Sequence, residues 1–101
     1  MIKEIYKTKK YIRLCISDDK MNNLIDMIKE YHSDNILDIK IQDEYKIYIK
    51  LKTKLKPNTW DNYMLFDDII KDWLGAKNNG PVIYLLYDLC IISDNECIIE
   101  V

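Results

Sequence analysis

Residues 45–56 read YKIYIKLKTKLK, with apolar side chains at most odd positions and lysines at most even positions. The apolar set includes Ile47, Ile49 and Leu51, and five of the even positions carry lysine. Because successive side chains of a β-strand point to opposite faces, this alternation predicts a strand. The apolar face of such a strand belongs on a protein core and its basic face in water. The stretch therefore predicts a sheet with one dry and one hydrated side.

The bulk composition is that of a folded globular domain. The chain has 101 residues, of which 49% are hydrophobic and 32% charged, so it is neither disordered nor large enough for two cores. Its longest apolar run is far shorter than the about 20 residues that cross a bilayer, and residues 1–5 lack the pattern of a signal peptide. The cysteines Cys15, Cys90 and Cys97 do not have the spacing of a metal or redox motif. We expect a single domain, residues 1–101, located in the cytoplasm and without a cofactor.

Charge is distributed unevenly along the chain. The net charge is −2, but residues 1–14 and 45–56 are basic, whereas residues 15–44 and 57–101 are acidic. The folded domain should therefore carry separate acidic and basic surfaces.

Two helical patterns separate the predicted strands. Residues after an N-cap at Ser17 have helical periodicity, and a second helix is predicted from an N-cap at Thr59 to a glycine terminator at Gly75. Alternating or apolar runs predict the strands, at residues 2–6, 11–16, 37–42, 45–56, 82–92 and 97–101.

The predicted order is β(β)αββαββ, which indicates an α+β fold. Both helices would pack on one face of a mostly antiparallel sheet. The expected topology is a ferredoxin-like βαββαβ core with an added C-terminal strand. Residues 82–92 are apolar on both faces and are expected to form a central strand.

No residue pattern indicates catalysis or a metal site. His32 is the one histidine, and without a second ligand at suitable spacing it is expected to pack or to cap a helix. Asp38 with Glu44 and Lys46 resembles the Asp…Glu-x-Lys pattern of restriction-type nucleases, in which carboxylates hold Mg²⁺. That resemblance covers only residue 38 and residues 44–46, and Glu44 lies in a predicted turn. We therefore predict no catalytic residue and no bound metal.

A basic sheet face would suit single-stranded RNA or DNA, which binds aromatic platforms placed among cations. The acidic helices and a pI near 5.3 count against this reading, and lysines also protect exposed strands from pairing. The residues that would bind nucleic acid are Tyr11, Arg13, Tyr48, Lys50 and Lys52.

The outer face of the second predicted helix suits a protein partner. Trp60 and Met64 lie there among carboxylates, an arrangement typical of an apolar anchor within a charged rim. Alternatively, Trp60 folds back over the loop after Pro57 as a helix staple. The predicted partner-binding residues are Trp60, Asp61, Met64, Asp67, Asp68 and Asp72.

As a whole, the chain resembles the small bacterial immunity proteins of contact-dependent inhibition systems. The shared profile is a short α+β domain with no catalytic set and an acidic surface carrying an aromatic anchor. The resemblance implies an inhibitor that occludes the active site of a cognate, nuclease-type toxin domain. A small nucleic-acid-binding module and a phage-encoded inhibitor of a host defence protein stay open as alternatives.

Overall fold

The computed structural model describes residues 17–74 and 87–101. The predicted strands at residues 2–6 and 11–16, with the candidate residues Tyr11 and Arg13, lie outside the described residues, as do Gly75 and the first part of the strand predicted at 82–92. The described elements are α1 (Asp18–Tyr31), β1 (Ile36–Asp43), β2 (Lys46–Leu51), α2 (Thr59–Tyr63), α3 (Asp67–Leu74), β3 (Asp88–Ser93) and β4 (Glu96–Glu100).

The four described strands form one antiparallel sheet in the order β1-β2-β4-β3. Helices α1 and α3 supply their apolar sides to a common core with this sheet, which confirms the predicted α+β class. A ferredoxin-like order would place the strand preceding α1 beside β2, but β4 has that position. Apolar cross-strand pairs explain why β4 lies beside β2, because Ile47 opposes Ile99 and Ile49 opposes Cys97. The strand that we expected to be central, β3, lies outside β4 in the described sheet.

Strand β2 confirms the alternation from which it was predicted. Ile47, Ile49 and Leu51 are buried, whereas the residues between them are partly exposed. The strand ends at Leu51 rather than at residue 56, because the next backbone N–H groups bond to turns instead of a neighbouring strand. The Lys52 N–H donates to the carbonyl oxygen of Asn35 at 2.7 Å.

Helix α1 has the predicted N-cap and a buried side. The Ser17 Oγ accepts the backbone N–H of Lys20 at 3.2 Å. At the other end, His32 Nε2 donates to the carbonyl oxygen of Leu65 at 2.7 Å, and its ring packs edge-on against Phe66. His32 thus joins the end of α1 to the turn before α3.

The single helix predicted from Thr59 to Gly75 is wrong, because the chain turns between α2 and α3. Asn62 is fully buried at this break, and its side chain exchanges two hydrogen bonds with the backbone of Lys56, of 2.8 and 2.9 Å. These bonds hold the start of α2 against the preceding loop. The N-cap is Asn58 rather than Thr59, since its Oδ1 accepts the Trp60 N–H.

Two β-bulges place apolar side chains at the surface. In β1 the pairing with β2 shifts register around Leu37, and in β3 the pairing with β4 shifts around Ile92. Leu37 is therefore 55% exposed, whereas Ile36 and Ile39 on either side of the bulge pack against the core. Alternation assumes a regular ladder, which the bulge interrupts.

Candidate functional site

Helix α2 and its C-cap residue Met64 carry the most exposed large apolar side chains of the part of the chain that the structure describes. Trp60 is 57% exposed and Met64 is 67% exposed, with the exposed Asp61 between them in sequence. We call Trp60, Asp61 and Met64 the α2 patch. The exposure of Trp60 favours an anchor over a staple.

Aromatic contacts fix the α2 patch to the body of the protein. The Tyr63 ring lies between the rings of Trp60 and Tyr87, with centroids 6.1 and 5.1 Å away. The Tyr63 hydroxyl accepts the backbone N–H of Leu89 at 3.1 Å, which ties α2 to β3. The patch therefore stands on a packed base.

Asp67 is buried, so it does not belong to the exposed surface on which it was predicted to bind a partner. It is 4% exposed, and its Oδ1 accepts a hydrogen bond from the Tyr87 hydroxyl. The same hydroxyl lies 3.2 Å from the carbonyl oxygen of Tyr63. The turn between α2 and α3 rotates Asp67 inward, where the uninterrupted helix of the prediction would have placed it outside.

A shallow groove runs between α1 and α3, and we call it the acidic groove. An open cavity of about 500 Å³ is lined on the α1 side by Asp19, Asp26 and Glu30 and on the α3 side by Asp72. Its lysine, Lys20, lies over the ring of Trp73, with Nζ 5.5 Å from the ring centroid. The groove therefore has an excess of negative charge.

The acidic groove continues towards the C-terminal end of α1. Asp68, Lys71 and Tyr31 line this continuation, and the Tyr31 hydroxyl donates to Asp72 Oδ2 at 3.1 Å. The predicted partner surface is thus divided in two. Asp68 and Asp72 face α1 in the acidic groove. The α2 patch lies instead on α2 and its C-cap, beside β3.

Sequence reasoning missed the contribution of α1 to this surface. Helical periodicity places Asp26 and Glu30 on the polar face of α1, but nothing local in the sequence connects them with Asp72 of α3. The available signal was the acidic character of both helices, which does not specify how the helices pack. The hydrogen bond from Trp73 Nε1 to the carbonyl oxygen of Lys20, 2.9 Å long, is one contact that sets this packing.

The open face of the sheet, opposite the helices, is not basic in the part of the chain that the structure describes. Carboxylates of β4 stand directly across from the lysines of β2, with Glu100 opposite Lys46 and Glu96 opposite Lys50. By the strand pairings, this face carries three lysines and five carboxylates, at positions 40, 46 and 50 and at positions 38, 43, 88, 96 and 100. Lys52 follows the end of β2 and is outside this ladder.

Tyr48 is engaged by neighbours on this open face. Its hydroxyl donates to Glu96, whose other carboxylate oxygen accepts the Ser93 hydroxyl at 2.8 Å. The hydrogen bond to Glu96 raises the pKa of Tyr48 to about 12, and the same bond lowers the pKa of Glu96 below its ordinary value. Lys40 Nζ lies 5.3 Å from the Tyr48 ring centroid. The ring is therefore covered by the protein's own cation.

The residues of the nuclease-like pattern are not brought together. Asp38 opposes Lys50 near one end of β2, whereas Lys46 opposes Asp43 at the other end. Glu44 is exposed in the hairpin turn between β1 and β2. Within residues 17–74 and 87–101, no three His, Cys, Asp or Glu side chains are grouped so as to hold a metal ion.

The two described cysteines differ in environment. Cys90 is exposed on β3, whereas Cys97 is buried, and burial raises the pKa of its thiol to about 12. Such a thiol carries no thiolate at neutral pH and is a core residue rather than a nucleophile.

Comparison with known proteins adds no further identification. None of the described helices combines the length and hydropathy that crossing a bilayer requires. No protein-family model, curated protein or solved structure matches this chain.

Proposed function

We propose that this protein is a non-catalytic inhibitor that binds another protein, and that its partner is a nuclease-type toxin domain whose active site it occludes. The observation that carries the proposal is the α2 patch, in which Trp60 and Met64 are both more than half exposed on a firmly packed base. Exposed tryptophan on a rigid support is the residue type most enriched at the energetic centres of protein interfaces.

Electrostatics favour a cationic partner. The acidic groove and its continuation carry five carboxylates, at positions 19, 26, 30, 68 and 72, against the lysines at 20 and 71. A nuclease must attract phosphate, so its active-site cleft is lined with cations. An acidic helical surface is complementary to such a cleft and would speed the encounter.

The partner can be identified and tested in two steps. Wild-type protein immobilised in a lysate of its native host should retain a protein that a Trp60→Ala variant does not retain. The retained protein, purified, should degrade nucleic acid, and one equivalent of the wild-type inhibitor should abolish that activity. Retained proteins without nuclease activity, or equal inhibition by the Trp60→Ala variant, would contradict the proposal. A retained host defence protein would instead support the phage-inhibitor alternative, which uses the same surface.

Binding of single-stranded RNA or DNA is the alternative function. The exposed lysines that follow β2, at positions 52, 54 and 56, are the observation that favours it. Affinity for a labelled single-stranded oligonucleotide should then fall steeply as the salt concentration rises. A variant with alanine in place of all three lysines should no longer bind the oligonucleotide. Absence of salt-dependent binding at micromolar protein would exclude this alternative.

A further inference from the structure

Strand β1 lies at the outside of the described sheet and exposes apolar residues. It pairs with β2 on one side and with no other described strand on the opposite side. Leu37 is 55% exposed, Ile41 is 39% exposed and Ile39 is half-buried. An outer strand with exposed apolar side chains is a template for pairing with another chain.

The sequence of β1 is complementary to itself when two copies run antiparallel. If two β1 strands meet with Ile39 opposite Ile39 of the second copy, Asp38 opposes Lys40 in both directions. In the same register Ile41 lies opposite Leu37, the residue at the bulge of β1. Each opposite-charge or apolar pair contributes about 0.2–1 kcal/mol relative to a pair of alanines.

Neighbouring registers lack this complementarity. A register centred on Lys40 places two lysines opposite each other, and one centred on Asp38 places two aspartates opposite each other. A slip of one residue sets charged side chains against Ile39 and Ile41, since it exchanges the two faces of the strand. One register therefore satisfies both the charges and the apolar residues.

We propose that β1 is a homodimer interface, in which two copies pair antiparallel about Ile39 and join their sheets edge to edge. Both helical layers then lie on the same side of the joined sheet. The interface does not occupy the α2 patch, because α2 packs beside β3 and the order β1-β2-β4-β3 places β1 and β3 on opposite sides. Register shifts near both ends of β1 limit the regular pairing to a few residues, so the dimer is weak and depends on concentration.

Charge exchange tests the register directly. Sedimentation equilibrium of the full chain over a wide concentration range should show a monomer–dimer equilibrium for the wild type. Asp38→Lys and Lys40→Asp should each weaken association by roughly tenfold, because each creates two like-charge contacts. The double variant Asp38→Lys/Lys40→Asp should restore association, as should an equal mixture of the two single variants, in which two lysines face two aspartates. Asp94→Lys, a charge change in the turn between β3 and β4, is the matched control and should have no effect.

Mixing separates the proposed interface from any effect on folding. Asp38 and Lys40 also have neighbours within their own sheet, Lys50 and Tyr48, so each single variant is also checked by thermal unfolding. A variant that is merely misfolded does not recover when mixed with another misfolded variant. A wild type that stays monomeric throughout, single variants that associate as the wild type does, or a mixture that fails to associate would each overturn the proposal.

Discussion

Trp60 and Tyr48 both stand beside charged residues in the sequence, but the fold leaves only one of them accessible. Trp60 is 57% exposed on a short helix, next to the exposed Asp61. Tyr48 lies on an inner strand, where its hydroxyl donates a hydrogen bond to Glu96 and Lys40 lies over its ring. An aromatic residue among charges is thus a binding candidate only when the rest of the chain leaves its surface uncovered.

The strongest test of this comparison removes each aromatic side chain in turn. Trp60→Ala should reduce affinity for the protein partner by about 2–4 kcal/mol, the range of a central interface anchor, and should leave the melting temperature nearly unchanged. Tyr48→Ala should leave the affinity nearly unchanged and lower the melting temperature, because it removes the cross-strand contacts with Glu96 and Lys40. Isothermal titration calorimetry and thermal unfolding measure the two effects.

A matched control excludes a general effect of exposed apolar residues. Ile92 is 52% exposed on the bulge of β3, so Ile92→Ala removes a comparable apolar surface outside the α2 patch. Its affinity should equal that of the wild type. If Trp60→Ala binds as tightly as Ile92→Ala, the α2 patch is not the anchor.

The base of the α2 patch is expected to be sensitive as well. Tyr87→Phe removes the hydroxyl that hydrogen-bonds the buried carboxylate of Asp67, and a buried polar group that loses its partner costs about 1–3 kcal/mol. Urea unfolding should show this loss as a lower midpoint with an unchanged slope.

The control for that measurement is Tyr31→Phe. The hydroxyl of Tyr31 bonds Asp72 at an exposed site, so its loss should change the free energy of unfolding by no more than about 0.5 kcal/mol. Equal losses of unfolding free energy for Tyr87→Phe and Tyr31→Phe would mean that the buried hydrogen bond to Asp67 contributes no more to stability than the exposed one to Asp72.

Features that depend on near neighbours in sequence were predictable. The alternation of residues 45–56 located the buried face of β2, and the cap at Ser17 located the start of α1, because both patterns act within a few residues. The accessible surface of Trp60 was inferred from helical periodicity, which holds over one or two turns. The α+β class followed from the order of these local elements.

Features that depend on distant contacts were not predictable from one sequence. Asp67 is buried because Tyr87, 20 residues away, bonds it, and the lysines of β2 face carboxylates of β4 that lie about 50 residues further along. The break between α2 and α3 depends on the bonds of Asn62 to the loop before it. For this reason the described part of the open sheet face is not basic, since one strand alone does not reveal which charges its neighbour supplies.

Charge on the helical surface should affect the rate of binding more than its strength. Asp68→Lys reverses a charge in the continuation of the acidic groove, so association with a cationic partner should slow by a factor of a few at low salt, with little change in dissociation. Stopped-flow or surface plasmon resonance measures both rates. Asp94→Lys makes the same charge change in the exposed turn between β3 and β4. Equal slowing by both variants would indicate net charge rather than the acidic groove.

The smallest expected effect concerns Tyr48, the covered aromatic residue of the comparison, and is the pH dependence of its hydrogen bond to Glu96. The pKa of Tyr48 is raised from 10.0 to about 12, so the stability that this bond contributes is complete below pH 10 and is lost as the pH rises through 12. The pKa of Glu96 is lowered, so the same contribution is lost again when acid protonates this carboxylate below its ordinary range. The difference in unfolding free energy between wild type and Tyr48→Phe should therefore be constant near neutral pH and shrink at both extremes of pH. Tyr31→Phe, which removes a tyrosine hydroxyl elsewhere, is the control. A difference that persists unchanged through the alkaline range would show that Glu96 does not hold the Tyr48 hydroxyl, and Tyr48 would then be available for stacking after all.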